Sequence, residues 1–178
     1  IISEKLARRI PKHLRIPTRW VHTDKNDVLR TEEDPDLPIV AKSRLVALGN
    51  LDPHLAHIRT DAPTSTELAV HVLLQYAASW RADICQGDIT QAFLSGWPMK
   101  QQVYLVPPKE GLPGVPEGAL LQPYKSVYGF ADAPRQWWVR FRDGMLKCGW
   151  EESKLEKALF ILRDATGTAR SPAGGRCT

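Results

Sequence analysis

The chain has little cysteine: Cys85, Cys148 and Cys177 are the whole complement in 178 residues. The number is odd, the spacings are wide and no C-x-x-C occurs. That argues against a disulfide framework or a zinc knuckle, and for a reducing compartment. No apolar run approaches the ~18 residues of a membrane span, so none is expected. The first residues, "IISEKLARRIPKHLR", lack the long apolar core and small-residue cleavage site of a secretory signal. The chain does not begin with Met, which suits a stretch of a longer product. His54 and His57 stand three apart in "DPHLAH" with no third ligand nearby, and read as solvated loop residues rather than zinc ligands.

What is present suits one soluble globular domain with a real core: 43% of residues are hydrophobic and 25% charged. Net charge is +4, and the excess is local, since residues 1–30 hold eight Lys or Arg against three acids. Such an arm attracts phosphates through counterion release, or is simply a solvated surface.

Residues 1–37 are basic, then acidic at "TEEDPD", and read as a lead-in segment. "PIVAKSRLVALG" (38–49) is rich in strand formers, with Lys42 and Arg44 two apart and therefore on one face of a strand. "PTSTELAVHVLLQYAASW" is the clearest helix. Thr64 and Glu67 have capping-box spacing, and Val70, Leu73, Leu74 and Ala77 follow at helical intervals. A strand is expected from Ala82 to about Asp88, then a turn and short helix with Ala92, Phe93 and Leu94. "VYLV" (103–106) reads as a further strand closed by Pro107-Pro108, before a Pro/Gly-rich loop. A second helix is expected to start at Pro134, with Asp132 close enough to help cap it and Trp137, Trp138, Phe141 and Met145 on its apolar face. Gly149 is its expected stop. "LEKALFILR" fits a helix or a short buried strand. The tail, residues 164–178, has no large apolar residue and is expected to be disordered.

Asp88 is the pivotal residue. An acid at a strand's end can hold a divalent cation beside a polyphosphate, but two-metal phosphoryl transfer needs a second carboxylate opposite it. Asp83, five residues back, would face the other side of a regular strand. By spacing alone Asp88 reads as a turn or capping residue, and Phe93 as a core aromatic.

The flanks add more. "WRADICQGDITQAFLSG", "VYLVPPKEG" and "YKSVYGFADAPRQWW", with "AKSRLVALG" and "TDAPTSTELAVHVLLQYAASW" upstream, resemble in order and spacing the reverse transcriptase of copia-type retrotransposons. That family's pattern runs HQLDVKTAFLNG, VYMxQPxGF, LKKALYGLKQAPRAW. The resemblance covers about residues 38–163. It implies an α+β, partial right-hand polymerase fold: fingers plus the first half of a palm, with a mixed antiparallel sheet, packed helices and no thumb.

The resemblance also implies roles. Asp88 would be the first catalytic aspartate and ligand both Mg²⁺ ions of the intact family enzyme. Ile89 would offer its carbonyl to the same metal, and Phe93 would exclude a 2′-hydroxyl. Lys42 and Arg44 would neutralise the dNTP triphosphate, Tyr128 and Gly129 would lie against the nascent base pair, and Pro134 and Arg135 would meet the template-primer. The implied partners are an RNA/DNA template-primer, dNTP and the remainder of a Pol polyprotein, with no membrane. The implied location is cytoplasmic or nuclear. Two departures stand out. Phe130-Ala131-Asp132 replaces the usual Leu-Lys-Gln, and the family's Y-V-D-D hairpin has no counterpart: no Asp-Asp pair occurs and Asp164 stands alone. The resulting expectation is a reverse transcriptase fragment that is inactive as an isolated chain. The alternative is a non-catalytic nucleic-acid-binding remnant using the basic arm, Lys42, Arg44, Arg135, Arg140 and Arg142.

Overall fold

The computed structural model describes residues 1–32, 36–163 and 167, and they form two units. The first comprises Ile1–Thr60 and Trp97–Ala133, the second Asp61–Gly96 and Pro134–Thr178.

The first unit is built on a three-stranded mixed sheet in the order β2-β1-β3, where β1 is Arg15–Asp24, β2 Ala41–Ala47 and β3 Tyr104–Val106. β1 and β2 are antiparallel, in register from Thr18↔Ala47 to Asp24↔Ala41. β1 and β3 are parallel, from Arg15↔Tyr104 to Pro17↔Val106. The expected strands in 38–49 and 103–106 are therefore present. The segment expected as a lead-in, 1–37, supplies β1, the central strand. Its amphipathic alternation is short, because Ile16 and Thr18 point inward only where β3 and the loops cover them. Ile16 is fully buried, and the Thr18 hydroxyl donates to the Val106 carbonyl at 2.8 Å. Around them Ala7, Ala47, Val103, Leu105, Ala119, Leu120 and Phe130 close the core. A short helix α1 (Glu4–Ala7) is held there by reciprocal backbone bonds between Ile2 and Leu120, at 2.7 and 3.0 Å.

The second unit holds helix α2 (Glu67–Trp80), the body of helix α3 (Ala133–Lys147), and a two-stranded antiparallel pair, β4 (Glu151–Glu152) and β5 (Phe160–Ile161). The N-cap of α2 is Thr66, not the expected Thr64: its hydroxyl accepts the Ala69 N–H at 3.2 Å. The Glu156 carboxylate fixes that cap by accepting from the Thr66 hydroxyl at 2.9 Å and the Thr66 N–H at 3.3 Å. Only Ala77 of α2 is buried. α3 packs by its aromatics. Trp137 lies 5.7 Å from Phe141, which meets Phe160 edge-on at 5.7 Å, and Arg142 donates to Glu152 at 2.6 Å. The expected stop is present: Gly149 has φ +85°, and the Trp150 N–H reaches back to the Met145 carbonyl at 3.0 Å.

"ALFILR" contributes β5 and so resolves as a strand. The expected strand from Ala82 to Asp88 does not form. An extended segment becomes a strand only when a neighbour supplies ladder partners. Residues 83–90 have none among the described residues, so they run irregular and exposed. The alternation that would separate Asp83 from Asp88 therefore does not apply. The tail expected to be disordered, 164–178, lies outside the described residues apart from Gly167.

Candidate functional site

In the first unit, the strand register sets Lys42 and Arg44 on one face of the β1–β2 hairpin, as their spacing requires. Lys42 is exposed and Arg44 half-buried, and neither side chain has a hydrogen bond or ion pair among the described residues. The structure brings the Tyr128–Gly129 turn to the same hairpin, for the Ala47 N–H donates to the Tyr128 carbonyl at 2.8 Å. Gly129 has φ +95°, and a Cβ there would sit 2.0 Å from the Ala47 carbonyl oxygen and 2.7 Å from Val46 Cγ1. The missing side chain is thus required by β2 itself, before any ligand is considered. Gly49 faces the same turn, since a Cβ on it would lie 2.2 Å from the Gly129 carbonyl oxygen.

Asp132, which departs from the family pattern, is 1% exposed, and its carboxylate accepts the hydroxyl of the fully buried Ser126 at 2.9 Å. The pair clasps the loop that carries Tyr128 and Gly129 from both ends. Its carboxylate points into the core, so a charge there meets no phosphate.

In the second unit, Asp88 and Ile89 are exposed and border an open cavity of ≈ 360 Å³, with Gly87, Ala92, Trp137 and Phe141 as its other walls. Trp137 and Phe141, read from sequence as the apolar face of a helix, are wall residues. Phe93 is half-buried on the next turn, Ala92–Ser95, and does not line this cavity. That turn begins from Gln91, whose backbone is left-handed at φ +56°.

Arg135 is engaged. It donates to the Asp61 carboxylate at 3.0 Å and the Asp61 carbonyl at 3.2 Å, and its guanidinium lies 4.9 Å from the Trp138 ring centre. Arg142, bound to Glu152, lies 5.9 Å from the same ring. Pro134 is half-buried in the first turn of α3. A template phosphate would have to displace Asp61 to use Arg135. Several cations of the N-terminal arm are engaged as well. Arg8 pairs with Glu4, Arg15 donates to the Ala7 and Ile10 carbonyls, and Arg30 pairs with Asp24.

Among the described residues, Asp88 is the one carboxylate lining the cavity, and no group of three or more His, Cys, Asp or Glu able to hold a metal occurs. These side chains do not by themselves fit a two-metal centre, which needs carboxylates on both sides of the ion pair.

The described residues form a mixed α+β structure with a mixed sheet, and along the chain the cation-bearing hairpin is followed by Asp88 and then by the Tyr128-Gly129 turn. The chain belongs to the reverse transcriptase (RNA-dependent DNA polymerase) family, whose profile matches residues 6–169. It is similar to the Retrovirus-related Pol polyprotein from transposon RE1 of Arabidopsis thaliana, with 30% identity over 86% of this chain and 10% of that protein. The corresponding polyprotein from transposon RE2 of the same plant is 31% identical over 68% of the chain and 8% of its own length. That from transposon TNT 1-94 of Nicotiana tabacum is 28% identical over 67% and 9%. The chain therefore spans about a tenth of the length of these relatives. No solved structure matches it significantly.

Proposed function

We propose that this chain is the nucleotide-handling part, fingers and first half of the palm, of a copia-type RNA-directed DNA polymerase, and that the 178-residue chain alone does not polymerise. In this reading the first unit meets phosphate through Lys42 and Arg44, with Tyr128 and Gly129 beside the nascent base pair. In the second, Asp88 and the Ile89 carbonyl are metal ligands, Phe93 screens the sugar, and Pro134 and Arg135 shape the template-primer path. Arg135 acts by holding the Asp61 loop to α3 rather than by gripping phosphate. A divalent metal, Mg²⁺ in this reading, would supply the charge stabilisation of phosphoryl transfer, and Asp88 alone is too small a donor set for it. The RNA/DNA template-primer, dNTP and the rest of a Pol polyprotein are its partners.

One observation carries the reading. The Tyr128–Gly129 turn is joined to the hairpin that carries Lys42 and Arg44 by the hydrogen bond from the Ala47 N–H to the Tyr128 carbonyl. Primer extension on an RNA template with Mg²⁺ tests it. The isolated chain should give no product, and product abolished by Asp88→Ala would overturn its inactivity. Substituted for the matching stretch of the RE1 polyprotein, the segment should support extension that Asp88→Ala removes. Extension that survives that change would overturn the role of Asp88.

A second reading, a nucleic-acid-binding module without catalysis, is favoured by two observations: the hairpin's cationic side chains are unpaired among the described residues, and the cavity of the second unit is lined by a single carboxylate. Binding of single-stranded DNA that falls steeply with salt, in a chain that never extends a primer even within the polyprotein, would select it.

A further inference from the structure

We propose that Arg19 is a third phosphate-binding cation on the hairpin face that holds Lys42 and Arg44. The proposal rests on the reading of that face given above.

The register carries it. Arg19 pairs with Val46, Val21 with Arg44 and Thr23 with Lys42. Directly opposed residues on antiparallel strands share a face, and diagonal neighbours lie within reach of long side chains. Arg19, Arg44 and Lys42 therefore form one cationic stripe, interleaved with Val21, Thr23 and Val46. No carboxylate stands on this face of the two strands. Asp24, the acid of β1, is on the opposite face, where it holds Arg30. Arg19 is exposed and, as with Lys42 and Arg44, its side chain has no hydrogen bond or ion pair among the described residues. Arg15, four residues earlier, is by contrast turned onto the Ala7 and Ile10 carbonyls.

Arg19 also has a particular place in the stripe. Val46, its cross-strand partner, packs against Gly129. Arg19 is thus the cation at the end of the stripe bordering the Tyr128–Gly129 turn. Its forked guanidinium matches phosphate oxygens, whether of a nucleotide's polyphosphate or of a strand backbone.

The test uses the full chain and two probes. Labelled single-stranded DNA is titrated by fluorescence anisotropy across a salt series, and inorganic tripolyphosphate is read by its upward shift of Tm. If Arg19 holds strand phosphate, Arg19→Gln weakens DNA binding and lowers the log–log salt slope by about 0.7. If it holds polyphosphate, Arg19→Gln diminishes the Tm shift instead. In either case Arg19→Lys recovers part of the loss, and Lys109→Gln, an exposed cation elsewhere in the unit, behaves as wild type. An Arg19→Gln chain unchanged on both probes, while Lys42→Gln and Arg44→Gln are weakened, overturns the role of Arg19 and leaves the function of the face standing. Wild-type behaviour of all three variants, or no binding of either probe by the parent chain, overturns both.

Discussion

In the first unit Ile16, Val103 and Ala119 are 1% exposed or less, whereas in the second Leu68, Leu73 and Trp80, all large and apolar, are more than half exposed. The difference lies in what the elements are given to pack on. The β1 ladder draws residues near 16, 45 and 105 together, and every segment it recruits adds a wall to one core. Among the described residues, helix α2 is held at its start by a capping carboxylate and has Ala77 as its one buried residue. A helix apolar on most of its circumference is the kind that is ordinarily covered on several sides. The first unit should therefore behave as a cooperative core, and the second as the more readily opened and more adhesive part.

The sharpest way to break that contrast is to hollow the closed core. Ile16→Ala should cost about 2–5 kcal/mol, seen as a lower denaturation midpoint and as loss of hydrogen-exchange protection throughout β1, β2 and β3. Gly129→Ala comes next, because the new methyl meets the Ala47 carbonyl oxygen in a left-handed backbone. The backbone conformation alone should cost about 1–3 kcal/mol, and exchange should rise first at the Ala47 N–H.

In the second unit the largest single lever is the cap. Thr66→Ala should cost about 1 kcal/mol, read as faster exchange over the first turn of α2. The same cap gives a pH test. The Thr66 hydroxyl, with the backbone N–H groups of Ala158 and Thr66, holds the Glu156 carboxyl below its usual value. A lowered carboxyl pKa stabilises the fold at neutral pH, and that contribution is lost as pH falls through the lowered value. The α2 N-terminus should fray on acidification, and Glu156→Gln should flatten that dependence. Smallest of all, Leu73→Lys on the exposed helix should change stability by no more than about 0.5 kcal/mol while reducing aggregation in light scattering. A large destabilisation there would mean that α2 is not open, and the contrast between the units would fall.

Much of the fold was legible where local chemistry decides it. The strand formers of 38–49 and 103–106, the aromatic face and glycine stop of α3, and the shared face of Lys42 and Arg44 all follow from period and turn chemistry. The expectation for Ala82 to Asp88 failed because a strand is a property of two segments, and the alternating pattern was present without a ladder partner. Thr66 rather than Thr64 caps α2 because Glu156, ninety residues away, fixes it. Asp132 stands where the family pattern has Gln, and Ser126 and burial make it a structural clasp. Arg135, expected from the resemblance to meet the template-primer, is held by Asp61 and Trp138.

The sequence by itself determined membership in the reverse transcriptase family, the order of its motifs and the lack of an Asp-Asp pair, because these are properties of residue identity and spacing. Tertiary structure alone decided which cations are free and which are engaged, that Arg19 joins Lys42 and Arg44, and that one unit closes a core while the other leaves a helix bare. The reason is that register and burial depend on contacts between residues far apart in the chain, and no local pattern encodes which partner will arrive.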